Sequence, residues 1–289
     1  MHVIEHPYRI LPDTDFSVAD LATTPPFTVD RKVFEKQLKS DRKQIAKLQH
    51  RLYAEDRRAL LLVFQAMDAA GKDSTIRAVT KGINPAGCRV HSFKKPSSLE
   101  LDHDFLWRTN NALPERGHIG IFNRSYYEET LVVRVHPKIL QYQRLPALPE
   151  NLDTLWDERF TAINAMEKHL VNNGTQVLKF WLNVSKEEQK QRFLSRLDEP
   201  EKHWKFSSSD VKERGHWDEY MHAYEQVIRK TSTDVAPWFA IPADNKMYMR
   251  QTIADIVMKT LQNMNPQFPE VHDKEKAMFD EMRVALNSD

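Results

Sequence analysis

Residues 64–77 read FQAMDAAGKDSTIR and have the spacing of a phosphate-binding P-loop. The stretch departs from the pattern G-x-x-x-x-G-K-[ST] at two positions. Ala66 stands in place of the first glycine, and Asp73 stands in place of the serine or threonine after the lysine. The residues from Ala59 to Phe64 are a short continuous apolar run, which is typical of a buried parallel strand. The stretch therefore has the strand–turn–helix context that a phosphate cradle requires.

The side chains of this loop favour anion binding, although they leave one alternative open. Gly71 lets the backbone approach an anion, and the start of the following helix offers free N–H groups. Lys72 adds a positive charge, and Asp68 could take the place of the missing hydroxyl as a Mg²⁺ ligand. The alternative is an ordinary helix start, in which Asp73 and Ser74 cap the first turn.

Strands and helices alternate along the rest of the chain. Alternation predicts a strand at 88–93, and apolar stretches predict strands at 118–122, 175–182 and 238–242. Periodicity predicts helices at 31–56, 74–82, 99–113, 152–172, 186–197, 217–230 and 248–264. This alternation predicts an α/β fold with a parallel sheet covered by helices on both faces. In such sheets ligands bind at the carboxyl ends of the strands. We expect a single domain at 30–265, an irregular arm at 1–29 and a C-terminal tail at 266–289.

Composition narrows the class of protein. The 289 residues carry a formal net charge of +1, which gives no overall attraction to nucleic acid or to a membrane. Cys88 is the only cysteine, so an internal disulfide is excluded and a reducing compartment is favoured. No apolar stretch approaches ~18 residues, and the first residues lack the pattern of a signal peptide. We expect a cytoplasmic protein with neither nucleic acid nor a membrane as partner.

A second group of polar residues follows the strand predicted at 118–122. P-loop NTPases carry a metal-holding aspartate after such a strand, where this chain has Asn123. Arg124 could grip a transferring phosphoryl group with its planar fork, or it could be an ordinary surface arginine. Glu128 and Glu129 could bind a metal, recognise a base or form a solvated face.

Basic residues accumulate around the predicted strand ends. They are Lys81, Arg89, Lys94, Lys95, Arg108 and Arg134. Because few aromatic residues lie between them, they suit a flexible polyanion better than stacked bases. Scattered, solvated surface charges are the alternative.

Residues 190–217, KQRFLSRLDEPEKHWKFSSSDVKERGHW, form a further charged segment. Arg192 and Arg196 are four residues apart and share one helix face, and Lys202 and Lys205 follow in a segment without periodicity. Basic residues opposite a P-loop are typical of a lid that closes on phosphates and excludes water. A charged surface loop is the alternative, because acidic residues nearly cancel the positive charge.

Five stretches together resemble the second family of polyphosphate kinases. They are MDAAGKDSTIR (67–77), NPAGCRVHSFKKP (84–96), FNRSYYEETLVVRVHP (122–137), RLDEPEKHWKFS (196–207) and TSTDVAPWFAIPADNK (231–246). The resemblance runs through most of residues 30–265. FNRSYYEE, with asparagine where many members have aspartate, resembles the class III subgroup, which is associated with phosphorylating both AMP and ADP.

The resemblance implies a P-loop kinase-like fold with a helical lid at about 190–217. It also implies Mg²⁺-dependent phosphoryl transfer between inorganic polyphosphate and nucleotides, with Mn²⁺ as an alternative metal. The acceptors would be AMP, ADP or other purine nucleotides, and the enzyme would be a homo-oligomer, either a dimer or a tetramer.

The same resemblance implies roles for individual residues. Catalytic roles fall to Asp68, Lys72, Arg124 and Arg196, and Asp68 also organises the metal. Nucleotide-binding roles fall to Asn123, Glu128 and Asp210. Polyphosphate-binding roles fall to Gly71, Asp73, Ser74, Lys81, Lys94, Lys95 and Arg134.

Two other functions stay open at this point. An ATP-dependent nucleotide or nucleoside kinase of similar fold is the first, and the departures at Ala66, Asp68 and Asp73 count against it. A non-catalytic protein that binds polyanions or nucleic acid with a decayed P-loop is the second. The near-neutral charge and the lack of a nucleic-acid-binding motif count against that one.

Overall fold

Six strands form one sheet in the computed structural model, which describes residues 4–288. They are β1 Arg9–Ile10, β2 Ala59–Gln65, β3 Cys88–Ser92, β4 Ile119–Asn123, β5 Thr175–Asn183 and β6 Trp238–Pro242. Their order across the sheet is β1-β6-β5-β2-β4-β3. The pairs from β6 to β3 are parallel, and β1 pairs antiparallel with β6. The predicted α/β fold with a parallel sheet is confirmed.

Helices flank this sheet. They are α1 Arg31–Glu55, α2 Lys72–Val79, α3 Ser98–Leu101, α4 Trp107–Asn110, α5 Val132–Val135, α6 Leu152–Asn172, α7 Lys186–Asp198, α8 Ser208–Glu213, α9 Trp217–Thr231, α10 Lys246–Met264, α11 Asp273–Ala277 and α12 Phe279–Asn287. Short 3-10 helices lie at Val18–Asp20, Pro85–Gly87, Tyr126–Glu129, Pro137–Tyr142, Pro200–Lys205 and Arg214–His216. Helix α1 packs along α10, and α6 packs against β5 and α9.

Burial explains why the central strands read as continuous apolar runs. Every residue of β2 is buried, and so is every residue of β4. A parallel strand covered on both faces has no solvent side, so alternation of polar and apolar residues is lost. Helix α1 instead keeps a single buried stripe of Leu38, Ile45, Gln49 and Leu52, as its periodicity predicts.

The helix predicted at 99–113 is wrong, because the structure has the two short helices α3 and α4 there. Helix α3 begins with a capping box formed by Ser97 and Glu100. The carboxylate of Asp104 then accepts a hydrogen bond from the backbone N–H of Leu106. Such a local side-chain bond competes with helix continuation, so the segment breaks between the two helices.

The N-terminal arm, predicted to be irregular, contains a short strand. In the arm, Arg9 and Ile10 pair with Phe239 and Trp238 of β6. The tail contains α11 and α12, whose residues are all exposed. Residues 1–3 and 289, which belong to the predicted arm and tail, lie outside the described residues. The limits of the domain stay a prediction.

The strand register brings the predicted site together. Phe64 at the end of β2 pairs with Asn123, and Asn123 also pairs with Ser92 at the end of β3. The P-loop and the Asn123–Arg124 turn are therefore neighbours at the carboxyl edge of the sheet. Within residues 4–288, no helix combines the length and apolar character that crossing a bilayer needs.

Candidate active site

The P-loop connects β2 to α2 through backbone conformations that side chains rarely adopt. Ala69 and Gly71 have φ angles of 61° and 104°. Gly71 is the residue before α2, and no side chain caps the helix there. The alternative in which Asp73 and Ser74 cap an ordinary helix is therefore not supported. Uncapped N–H groups at a helix start suit an anion.

Lys72 points into the loop that it follows. Its Nζ donates hydrogen bonds to the backbone carbonyls of Ala66 at 2.6 Å and Met67 at 3.3 Å, and the residue is buried. Burial lowers the pKa of Lys72 from its ordinary value, and the nearby charge of Arg124 lowers it further. The ammonium is thus held beneath the place where a phosphate would meet the helix start.

Arg124 lies between two carboxylates. It donates to Asp68 Oδ1 at 2.9 Å, and its Nη1 lies 3.5 Å from Glu128 Oε2. Its φ of 63° is an uncommon backbone conformation for a non-glycine residue, of the kind that clusters at functional sites. Burial raises the pKa of Glu128, and Arg124 opposes that effect. The guanidinium is therefore fixed across the mouth of the loop.

Asp73, which departs from the P-loop pattern, contacts Asn123, which stands where P-loop NTPases carry an aspartate. The amide of Asn123 donates to Asp73 Oδ1 at 2.6 Å and lies 3.4 Å from the hydroxyl of Ser92. Ser74 donates to the carbonyl of Gly71 at 3.0 Å. The structure thus places Asp73 and Asn123 at the site as a pair.

Side chains of helix α7 donate hydrogen bonds to the backbone of the P-loop. Gln189 donates to the carbonyl of Asp68 at 2.9 Å, and Arg192 donates to the carbonyl of Ala70 at 2.6 Å. Arg192 also reaches the carbonyl of Ala243 after β6 at 2.6 Å. Sequence reasoning grouped Arg192 with the lid, whereas its bonds here hold the P-loop backbone against the sheet.

The predicted lid residues lie over the same site. Arg196 donates to Asp210 Oδ2 at 3.1 Å and to the carbonyl of Lys205 at 3.0 Å. Burial raises the pKa of Asp210, and the negative charge of Asp68 raises it further. Asp210 is therefore close enough to the P-loop carboxylate of Asp68 for their negative charges to interact.

A basic groove of about 820 Å³ begins at the P-loop. Gly71, Asp73 and Ser74 line one end of it. Its basic residues are Arg77, Arg192, Arg196, Lys202, Lys205, Lys246 and Arg250. Trp204, 79% exposed, also lines it. Such a concentration of one charge sign attracts an anion although the whole chain is nearly neutral.

Three residues of the basic groove were not predicted from the sequence. Arg77 lies on α2, and Lys246 and Arg250 lie at the start of α10. The four-residue spacing of Lys246 and Arg250 directly after a strand end was an available signal. Nothing local in the sequence shows that α2 and α10 bring all three together.

Four residues predicted to bind polyphosphate do not line the basic groove. Lys81 follows the far end of α2, and Lys94 and Lys95 lie in the loop after β3. Arg134 pairs with Asp153 at 3.3 Å and lies 5.9 Å from the centre of the Trp156 ring. Their role in polyphosphate binding stays a prediction.

A smaller pocket, of about 120 Å³, also borders the loop. We call it the acceptor-side pocket. Asp68, Arg124 and Glu128 form its floor, and its other lining residues are Ala66, Met67, Leu131, Val132, Glu213, Tyr220 and Tyr224. The basic groove and the acceptor-side pocket thus both border the P-loop.

No set of three or more His, Cys, Asp or Glu side chains within residues 4–288 is arranged to hold a metal ion by itself. Mg²⁺ is commonly bound by one or two carboxylates together with substrate phosphates and water. Asp68 in the P-loop and Asp73 in the first turn of α2 are carboxylates that fit such a partial set of oxygen ligands.

The chain is similar to known proteins of one family. The family model described as Polyphosphate kinase 2 matches residues 28–269. A Rhodopseudomonas palustris protein named ADP-polyphosphate phosphotransferase is 48% identical over 261 residues, which are 90% of either chain. A Meiothermus ruber protein named AMP/ADP-polyphosphate phosphotransferase is 42% identical over 265 residues, covering 91% of this chain and 95% of that protein. The crystal structure of polyphosphate kinase 2 from Arthrobacter aurescens TC1 has a TM-score of 0.85 at 34% identity, and the match covers 97% of this chain and 100% of that one.

Proposed function

Because the chain belongs to the polyphosphate kinase 2 family and is a phosphotransferase, we propose that it phosphorylates AMP and ADP with inorganic polyphosphate. One observation carries the proposal: a large basic groove and a small acceptor-side pocket both border a single P-loop. A polyanionic donor and a nucleotide acceptor need two approaches to one reaction centre. The AMP and ADP specificity also follows the class III resemblance of FNRSYYEE.

The basic groove is the donor side of this proposal. Polyphosphate carries charge along its whole length and offers no apolar surface. The groove is lined by seven basic side chains and by two acidic ones, Asp73 and Glu188. This excess of positive charge suits such a chain, whereas a donor ATP would also need an adenine pocket. We propose that the terminal phosphate of polyphosphate lies at Gly71 and Ser74, and that the chain runs outward past Arg77 and Arg250.

The acceptor-side pocket is where the nucleotide phosphate meets that terminal phosphate. An oxygen of the acceptor phosphate attacks the terminal phosphorus of polyphosphate, and the bond from that phosphorus to its bridging oxygen breaks. The shortened polyphosphate leaves with the bridging oxygen. Because the attacking oxygen is already anionic near neutral pH, no general base is needed. Lys72, Arg124 and Arg196 stabilise the charge that spreads over the transferring group.

We propose Mg²⁺ as the metal, held by Asp68 and Asp73 together with substrate phosphates. When bound, the ion neutralises phosphate charge at the reaction centre. Mn²⁺ prefers the same oxygen ligands and is expected to substitute. Asn123, Glu128 and Asp210 are proposed to contact the nucleotide, and Lys81, Lys94, Lys95 and Arg134 to contact polyphosphate beyond the groove. A cytoplasmic location and a dimeric or tetrameric assembly complete the proposal.

An acceptor screen tests the reaction. Purified protein is incubated with Mg²⁺, polyphosphate as the only donor and AMP, ADP, GMP or GDP, and the products are separated by chromatography. We expect ADP and ATP to form from AMP, and ATP from ADP. Formation of no nucleoside di- or triphosphate from any acceptor would refute the proposal, as would turnover that requires ATP as donor.

A matched pair of arginine variants tests the donor side. Arg250→Ala removes a charge from the basic groove, whereas Arg89→Ala removes an exposed charge paired with Glu115 elsewhere. We expect Arg250→Ala to raise the KM for polyphosphate several-fold while leaving the KM for ADP unchanged. Arg89→Ala is expected to change neither constant. Equal behaviour of the two variants would remove the groove from the polyphosphate path.

A further inference from the structure

Glu213 is a lid carboxylate that the reaction described above does not use. It is the last residue of α8, and it lines the acceptor-side pocket together with Tyr220 and Tyr224. Asp68 and Arg124 belong to the same small pocket. Glu213 therefore faces the same small pocket as the residues proposed to meet the acceptor phosphate.

The hydrogen bonds of Glu213 leave one of its oxygens available. The hydroxyl of Tyr220 donates to Oε2 at 2.8 Å, and Nε2 of His136 lies 2.9 Å from the same oxygen. Within residues 4–288, no hydrogen bond to Oε1 accompanies them. Burial raises the pKa of Tyr220, so its hydroxyl stays a donor at neutral pH. The carboxylate is held in place through Oε2, and Oε1 can accept from a ligand.

The size of the pocket decides which part of a nucleotide this carboxylate meets. Typical ligand pockets measure about 300–1,000 Å³, so a pocket of about 120 Å³ holds a fragment of a nucleotide. In AMP, one of the two proposed acceptors, the sugar is joined directly to the acceptor phosphate that Arg124 and Asp68 face. Its two neighbouring hydroxyls are donors, which a carboxylate accepts. The apolar wall of Leu131 and Val132 suits the carbon side of a sugar ring.

We infer that Glu213 is a specificity residue that accepts hydrogen bonds from the ribose hydroxyls of the acceptor nucleotide. The inference rests on the proposed function, and it extends that function to a choice between ribo- and deoxyribonucleotides. Because Glu213 belongs to the lid segment, the same contact couples lid closure to the presence of the correct sugar. Tyr220 acts through Glu213 as a positioning residue.

Steady-state kinetics with AMP, 2′-deoxy-AMP and 3′-deoxy-AMP test this inference, with polyphosphate and Mg²⁺ held constant. Wild-type enzyme is expected to prefer AMP through a lower KM. Glu213→Gln, which keeps the shape and removes the charge, is expected to raise the KM for AMP roughly ten-fold, the factor that about 1.4 kcal/mol represents. The KM for at least one deoxynucleotide should change little, so that the preference shrinks. Tyr220→Phe should shrink it to a smaller extent.

Glu219→Gln is the matched control, because Glu219 is an exposed carboxylate near the lid that pairs with His216 at 3.5 Å. It is expected to keep the wild-type preference. A Glu213→Gln enzyme with an unchanged ratio of KM values for AMP and both deoxynucleotides would overturn the inference, and so would a loss confined to kcat. If wild-type enzyme shows no turnover with any acceptor, the proposed function itself fails, which is a distinguishable result.

Discussion

The side-chain amide of Asn123 donates a 2.6 Å hydrogen bond to the carboxylate of Asp73. In an ordinary P-loop NTPase the strand residue is the aspartate and the loop residue is a serine or threonine. Here the carboxylate is on the helix and the neutral group is on the strand. The exchange of residue types keeps one carboxylate at the contact between positions 73 and 123. Asp68 of the P-loop is a second carboxylate at the site.

Asn123→Asp is expected to make stability depend on Mg²⁺. The variant brings two carboxylates to hydrogen-bond distance, and like charges so close disfavour joint ionisation. Without Mg²⁺ at neutral pH its Tm should fall by several degrees below that of wild type, and added Mg²⁺ should restore most of the difference. Thermal melts with and without Mg²⁺ measure the effect.

The matched control is Asn84→Asp, since Asn84 caps a 3-10 helix on the surface and aspartate caps equally well. Its melting behaviour should resemble that of wild type in both conditions. Equal gains in Tm from Mg²⁺ for Asn123→Asp and wild type would contradict the exchanged-pair interpretation.

Lys72→Ala and Arg124→Ala are each expected to lower kcat by ~10²–10³-fold, since each removes one preorganised charge from the transferring phosphoryl group. Both side chains lie at the loop, so circular dichroism should show an intact fold. Arg89→Ala, outside the site, should keep wild-type turnover. Near wild-type turnover in both site variants would show that the catalytic assignment is wrong.

The alkaline limit of activity should follow Lys72. Burial and the charge of Arg124 lower its pKa from 10.5, so its ammonium loses a proton at a lower pH than an exposed lysine does. As pH rises through that lowered pKa, the positive charge disappears and kcat/KM should fall. The free energy of unfolding should rise over the same window, because the neutral amine no longer opposes burial.

Lys72→Arg separates this effect from other alkaline titrations, because a guanidinium stays charged throughout. The fall in kcat/KM should move to higher pH in the variant, even if the maximal rate is reduced. An unchanged alkaline limb would mean that another group sets it.

Helical periodicity and apolar runs predicted the helices and strands that residues close in the sequence specify. The periodicity of α6 gives its bounds, Leu152–Asn172, and the apolar run of β2 gives its place in the sheet. The helix predicted at 99–113 fails because the side chain of Asp104 offers the backbone a competing partner. Helical periodicity does not detect such a bond.

The same distinction applies to the residues of the site. Asp68, Lys72 and Arg124 lie in short motifs next to strand ends, so the sequence predicts them together. Arg77 and Arg250 are on two helices far apart in the chain, and only tertiary packing places both in the basic groove. The role proposed for Glu213 cannot be predicted from the sequence either, because it depends on the pocket that Glu213 shares with Arg124.

A buried ion pair lies beneath the reaction centre. Lys179 of β5 and Glu167 of α6 are 2.6 Å apart, and both are almost fully buried. The hydroxyls of Tyr126 and Tyr127 each donate to Glu167 at 2.8 Å. These tyrosines directly follow the Arg124 turn. The pair thus ties the segment that carries Arg124 to the underside of the sheet.

Removing one partner of this pair is expected to cost more than removing both. Glu167→Gln leaves the ammonium of Lys179 buried without a counter-charge, and such single losses typically cost ~3–5 kcal/mol. The double variant Lys179→Met with Glu167→Gln leaves no unpaired charge, so its loss should be smaller than that of Glu167→Gln alone. Urea unfolding of the two single variants and the double variant measures the coupling between the two side chains. Additive losses would show that the two groups contribute independently and that the pair does not hold the Arg124 segment.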